Sequence, residues 1–190
     1  MRMAIPGCCR PYYHHALYPQ CAFMSSNFAA SFAPNADSKA RILILGSIPG
    51  RVSLKEARYY AHPRNQFWKI LSTLLCFAPD MTYADRLLTL QSHGIALWDV
   101  MHSCQRAGSL DASIEPDTIE ANDFAAFFQS HTAIRTVFFN GATAQATYNK
   151  HVLPGLSALP LHYTRLPSTS PAHAALSFAQ KLAAWQYILE

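Results

Sequence analysis

Residues 42–68 read ILILGSIPGRVSLKEARYYAHPRNQFW, and the fold follows from how this stretch is punctuated. Ile42, Leu43, Ile44 and Leu45 form an apolar run with no polar alternation, closed by Gly46. Such a run suits a strand buried on both faces of a parallel sheet. Gly46-Ser47-Ile48-Pro49-Gly50 then makes a turn in which glycine opens backbone angles closed to other residues and Pro49 stiffens the path. Backbone amides of residues 47–50 can therefore face a bound group. Beyond the turn, Arg51, Lys55, Arg58, Arg64 and Lys69 are opposed only by Glu56, and Tyr59, Tyr60, His62, Phe67 and Trp68 lie among them. Cationic side chains suit phosphates and aromatic faces suit bases, so this stretch is the candidate active site.

Working outward, the chain alternates helical and strand patterns. Arg64 to Cys76 places Phe67, Ile70, Leu71, Leu74 and Leu75 at helical spacing. Thr82 with Asp85 three residues on reads as a helix start, and Gly94 as its stop. Ile95 to Val100 predicts a second strand, followed by a long polar loop through Ser109 and Pro116. A helix is expected over 119–131, a third strand over 136–139, and a tight Asn140-Gly141 turn into a helix through Ala144 and Tyr148. The fourth strand spans about 161–166, the Pro167-Ser168-Thr169-Ser170-Pro171 loop follows, and the last helix runs from Ala172 to Leu189. This order predicts an α/β fold of three layers, α/β/α, around a four-stranded parallel sheet. Loops leaving the carboxyl ends of such strands converge on one crevice. The four that qualify are 46–65, 98–110, 140–143 and 167–171.

Composition agrees with one globular domain. The chain has 190 residues, 51% hydrophobic and 12% aromatic. Residues 1 to about 30 lack helical or strand periodicity and read as an irregular leader to a single domain over 31–190. The net charge of +4 is unevenly placed: basic residues gather near the first loop, whereas Asp111, Glu115, Asp117, Glu120 and Asp123 read as an acidic far side. Five cysteines without paired spacing suggest a reduced, cytoplasmic protein. Cys8, Cys9, His14, His15 and Cys21 offer metal-ligating types but no CxxC pair, so no metal site is expected. No apolar run is long enough to span a bilayer, and the N-terminus lacks the apolar stretch of a secretory signal.

Five strings, GSIPG, YYAHPRNQFW, ALWDVMHSCQRAGSLDASI, FFNGATA and LPSTSPAH, stand in this order at the expected strand ends. Together they resemble the uracil-DNA glycosylase superfamily, most closely its hypoxanthine-DNA glycosylase branch, over roughly residues 31–190. The resemblance implies a monofunctional enzyme that flips a deaminated base out of DNA, hydrolyses its N-glycosidic bond and leaves an abasic site. It implies DNA as partner, water as co-substrate and no cofactor or metal; a monomer is expected, because one lesion in one duplex needs only one crevice. Relatives that excise uracil commonly carry Asp or Asn in the first motif; here the turn offers Ser47 and Ile48. In the hypoxanthine branch the catalytic asparagine lies in the segment matching His62-Pro63-Arg64-Asn65-Gln66, which assigns that role to Asn65. Many uracil enzymes begin the last motif with histidine, and this chain has Leu166 before Pro167-Ser168.

Breaking the bond develops positive charge on the sugar and negative charge on the base, so the site needs a positioned water and donors around the base. Asn65 would turn its amide oxygen to water and its nitrogen to the loop backbone; alternatively it caps the helix that starts at Gln66. Gly46, Ser47, Ile48, Pro49 and Gly50 would form one side of the base pocket. Asp99 would accept a ring N–H or cap the following loop; Asn140 would contact the base or hold its turn. Tyr60 or Phe67 would stack on the base, and Trp68 belongs to the core. Arg51, Arg64, Arg106, Ser109, Pro167, Ser168, Thr169 and Ser170 are the candidate DNA contacts. A glycosylase for uracil or another deaminated base, or a DNA-binding module without catalysis, remains the alternative.

Overall fold

The computed structural model describes residues 27–190. The elements in chain order are β1 (Phe28–Ala30), β2 (Ile42–Gly46), α1 (Arg51–Glu56), α2 (Phe67–Leu74), α3 (Tyr83–Ser92), β3 (Ile95–Asp99), β4 (Met101–Gln105), β5 (Glu120–Ala121), α4 (Phe124–Ser130), β6 (Thr136–Asn140), α5 (Ala142–His151), β7 (His162–Leu166) and α6 (Phe178–Trp185). Short 3-10 turns cover Asp111–Ser113, Pro116–Thr118, Leu153–Gly155 and Gln186–Leu189.

The main sheet has the order β3-β2-β6-β7, and all its pairings are parallel. Side chains of a strand alternate between faces, and here that alternation builds two separate cores. Leu43, Leu45, Val137 and Phe139 face Phe124, Phe127 and Phe128 of α4 and Ala144 and Tyr148 of α5. Ile44, Leu97 and Phe138 face Phe67, Ile70 and Leu71 of α2, Leu90 of α3 and Trp185 of α6. A continuous apolar run in β2 is what a strand with a core on each side requires. Each fully buried Leu or Phe contributes about 1.5–3 kcal/mol, so both layers are held firmly and the strand ends become a rigid platform. The expected three-layer α/β/α fold is the fold found.

Five expectations need correction. The segment after β3 is not a loop at first: β4 pairs antiparallel with β1 and β5 in a second, three-stranded sheet. Its polar residues conceal the strand, because Ser103 is buried and donates to Glu120 Oε2 at 2.7 Å while Met101 and Cys104 pack inward. Consequently Phe28–Ala30, placed in the leader by pattern, belongs to this sheet. The leader proper and the Cys8, Cys9, His14, His15 and Cys21 group lie outside the described residues. The basic loop contains a short helix, α1, stopped by Ala57 at φ 50°. Finally, α4 starts at Phe124 with Asp123 as its cap, and α6 starts at Phe178 rather than Ala172 because Ser177 and Gln180 form a reciprocal capping pair. The last loop is thereby several residues longer. Among the described residues no helix is long and apolar enough to cross a membrane.

Candidate active site

The carboxyl ends of the parallel strands open on a cavity of about 600 Å³. Gly46, Ser47, Ile48, Pro49 and Gly50 all line it, as do Arg51, Tyr60, Arg64, Asn65, Asp99, Ser109, Asn140, Ser168, Thr169 and Ser170. Three expected residues do not. Phe67 is fully buried and stacks against Tyr60 with ring centroids 3.9 Å apart, so it backs a cavity residue instead of facing the cavity. Pro167 turns its carbonyl to Trp185 Nε1 at 3.0 Å. Arg106 is only 2% exposed and donates from Nη2 to the Pro49 carbonyl, which removes it from any DNA-facing surface.

Gly46 sits where β2 ends, and its missing side chain makes room for two polar heads. A Cβ there would lie 2.4 Å from Asp99 Oδ1 and 2.9 Å from the Tyr60 hydroxyl. Asp99 Oδ2 and the Tyr60 hydroxyl are buried and make no well-formed hydrogen bond, with Ser31 and Asn140 as the polar side chains that stand near Asp99 and Tyr60 respectively. Tyr60 reaches this place with a left-handed backbone, φ 54°. Unpartnered buried polar atoms are costly, and here they face a cavity, which marks them for a ligand.

Asn65 does cap α2: its Oδ1 accepts from Phe67 N at 2.9 Å. The expected orientation is thus reversed, with the oxygen committed to backbone and the nitrogen left to the cavity side. Gln66 N donates to the Thr169 carbonyl at 3.0 Å, tying the Asn65 turn to the last loop. Asn140 ties the same loop to β6, since Oδ1 accepts from Thr169 N and Nδ2 donates to Thr169 Oγ1, both at 2.9 Å. The Asn140 side chain is thus engaged by the last loop, not by its own turn to Gly141. Gly141 follows at φ 103°, where a Cβ would come within 2.9 Å of Ser168 Cβ. Lys181, buried at 2% exposure, adds a bond from Nζ to the His173 carbonyl at 2.7 Å.

Residues 33–189 match the family model of the Uracil DNA glycosylase superfamily. The chain belongs to this superfamily. It is 37% identical over 111 residues to a hypoxanthine DNA glycosylase of Methanosarcina barkeri, covering 58% of this chain and 69% of that one. It is 34% identical over 142 residues to a hypoxanthine DNA glycosylase of Methanosarcina acetivorans, covering 74% and 85%. The solution NMR structure of a provisionally assigned uracil DNA glycosylase from Methanosarcina acetivorans superposes with a TM-score of 0.70 at 30% identity, over 86% of this chain and 99% of that one.

This member of the uracil-DNA glycosylase superfamily brings to its cavity a residue that sequence reasoning set on the far side. Asp111 begins the 3-10 turn at 111–113 and lines the cavity, accepting from Ser47 Oγ at 3.0 Å to each carboxylate oxygen. Its membership of the SLDASI string was the available signal; the run of acids after it suggested a solvated patch instead. Burial pushes the Asp111 carboxyl up, while hydrogen bonds from Ser47 and Thr143 and the Arg106 charge pull it down. Asp99 is pushed up to about 7, first by burial and then by the charge of Asp111, against the opposing pull of Ser31 and Arg106. Two desolvated carboxyls sharing one cavity do not ionise equally, and the deeper one keeps its proton longer. His62 and His173 also line the cavity. Among the described residues no group of three His, Cys, Asp or Glu side chains is placed to hold a metal ion.

Proposed function

We propose that the chain is a monofunctional DNA-deoxyinosine glycosylase: it flips hypoxanthine out of DNA and hydrolyses its N-glycosidic bond, leaving an abasic site. The observation that carries this reading is the unpartnered Asp99 Oδ2 at the depth of a cavity built on a superfamily frame, beside the amide-bearing 46–50 turn. Hypoxanthine presents a ring N–H next to a carbonyl, so it needs an acceptor next to donors. Asp99 supplies the acceptor, and Ser47, Ile48 and Gly50 carry the backbone N–H donors, since Pro49 has none. Tyr60, braced from behind by Phe67, offers its other face for the base to stack on. The names of the two curated relatives point to the same substrate.

Departure of the base leaves an electron-poor sugar that water must meet from the other side. Asn65 lines the cavity with its oxygen held by the helix start, so its amide nitrogen can hold that water through the water's oxygen. Arg51 and Arg64 at the cavity, with Ser109 and the Ser168–Ser170 loop, would grip flanking phosphates and fix the register of the lesion without reading sequence. No cofactor is needed. One lesion needs one crevice, so the protein acts as a monomer in the cytoplasm, with residues 28–190 as the glycosylase domain.

Alkaline cleavage of end-labelled duplexes containing one deoxyinosine or one deoxyuridine tests this. Cleavage at deoxyinosine that falls by about a hundredfold or more in Asn65→Ala, with DNA still bound, is the expected result. Preferential cleavage at deoxyuridine would reassign the substrate, because uracil offers a similar N–H beside a carbonyl. Binding of both duplexes with cutting of neither would refute an enzyme.

A further inference from the structure

The cavity holds a hydroxyl and a carboxylate that the account above leaves without work. Ser47 Oγ lies 3.0 Å from both oxygens of Asp111, so its single proton is shared into the fork of that carboxylate. Asp111 spans 64 positions of sequence to make this contact. It stands at the first position of a 3-10 turn whose cap position is Leu110, and its carboxylate reaches out of that turn to Ser47. Instead the long segment is pinned to the first loop at three points: Asp111 to Ser47, Ser109 Oγ to Arg51 N at 3.1 Å, and Arg106 to the Pro49 carbonyl. The buried Arg106 charge stands near enough to Asp111 to favour its ionised form.

Among the described residues, Asp99 and Asp111 are the two carboxyls lining the cavity, and depth separates them. Asp99 is 3% exposed, packed over Gly46 beside Tyr60, where a base entering first would end. Asp111 is half-buried and so less enclosed than Asp99. An attacking water must lose a proton as it bonds to carbon, and Asn65 cannot take it, because an amide is not a base and its oxygen already accepts from Phe67 N.

We propose that the Ser47–Asp111 pair is the proton acceptor of the site: water hands its proton to Ser47 Oγ as the serine proton moves to the Asp111 carboxylate. This rests on the glycosylase reading. In the step, the water oxygen bonds to C1′ as the C1′–N9 bond breaks, and the bonding pair leaves with the base, which then takes a proton from solvent. Asp111 acts through Ser47 and is thus a positioning residue; Ser47 is the group that touches the water. The pair supplies, from a distant part of the chain, the carboxylate that the first loop lacks in its own sequence. The charged and titratable groups facing Asp111 are Asp99 at the end of β3, Cys104 in β4, Arg106 after β4, Tyr60, and the cavity residues Arg51, Tyr59, His62, Arg64 and His173, with the hydroxyls of Ser47 and Thr143.

The test is single-turnover excision from a deoxyinosine duplex between pH 4.5 and 8.5, with wild type, Asn65→Ala, Asp111→Asn, Ser47→Ala and the double variant, and with binding to the uncleaved duplex measured alongside. Wild-type cutting is the first arm: without it the glycosylase reading fails, and this inference with it. Given cutting, Asp111→Asn is expected to slow the chemical step by about a hundredfold, with binding changed by no more than about twofold. It should also erase the lower rise of rate with pH while leaving the rise that belongs to Asp99. Ser47→Ala should match it, and the double variant should be no slower than either, because the two act as one unit. If Asp111→Asn does not fold, Ser47→Ala, which removes only a hydroxyl, decides in its place. Rates within about threefold of wild type, additive losses, an unchanged pH profile, or a loss confined to binding would each overturn the proposal and leave Asp111 as a loop tether.

Discussion

The cavity has two unlike walls. One, residues 46–65, is continuous in sequence: the end of β2, the turn, α1 and the asparagine that starts α2. The other is assembled from remote pieces, Asp99, residues 109–112, Asn140 and residues 168–173, and is joined to the first by side-chain bonds that cross 58 and 64 positions. The first wall presents backbone amides, hydroxyls and the cationic Arg51 and Arg64; the second brings the buried carboxyls. The difference teaches that the frame for the reaction is local, whereas its buried negative charge is imported by the fold, and the two can be perturbed separately.

The largest expected effect comes from the deepest imported charge. Burial first, and then the charge of Asp111, push the Asp99 carboxyl up from its ordinary 3.8 to about 7 in the fold. Below pH 4 both states hold the proton and Asp99 has no influence. As pH rises from about 4 to 7 the unfolded chain releases the proton while the fold retains it, so stability falls, and above 7 the loss is complete and constant. The shift corresponds to roughly 4 kcal/mol at most. Asp99→Asn should therefore be more stable than wild type at pH 8 by up to that amount and nearly equal to it at pH 4, while excision is lost. Urea unfolding at both pH values checks this; equal stability at pH 8 would mean that the second wall is not desolvated.

Gly46→Ala strikes the point where the walls meet. The new methyl would demand that the Asp99 carboxylate and the Tyr60 hydroxyl move together. Displacement of this size at a reacting site costs about a hundredfold in rate, and forcing a methyl into a packed site costs about 1–3 kcal/mol in stability. Excision assays with a melting curve separate the two. Gly50→Ala, with nothing nearer than 3.9 Å to its Cβ position, is the internal control.

Asn140→Ala opens the second wall alone. It strands the amide and hydroxyl of Thr169, a residue with no solvent exposure, at an expected cost of about 1–3 kcal/mol. Hydrogen exchange at Thr169 and Ser170 should rise while β2 amides stay protected. This also shows why the two walls differed in legibility. Ile42–Leu45 announces a buried parallel strand by composition, and Asn65 two residues before Phe67 announces a cap, because both depend on neighbours in sequence. That Arg106 would be buried against the Pro49 carbonyl, or that Asp111 would turn inward to Ser47, depends on β4, and β4 was hidden by Ser103 and His102 in an otherwise polar segment. A polar strand stabilised by distant partners leaves no periodic trace.

The smallest effect is expected beyond the second wall, where the local pattern again governs. Pro171 after Ser170 resembles a helix start, yet α6 begins seven residues later, where Ser177 Oγ accepts from Gln180 N at 3.3 Å and Gln180 Oε1 accepts from Ser177 N at 2.9 Å. A reciprocal pair satisfies two amides and outcompetes a proline, which satisfies none. Ser177→Ala should cost about 1 kcal/mol, or about 2–4 °C in melting temperature. Excision should not change, because the loop that lines the cavity is held elsewhere, by Asn140 on the Thr169 amide and by Gln66 N on the Thr169 carbonyl. A loss of activity in Ser177→Ala would mean instead that the N-terminus of α6, rather than those two bonds, sets the position of residues 168–173, and the second wall would then be no less local than the first.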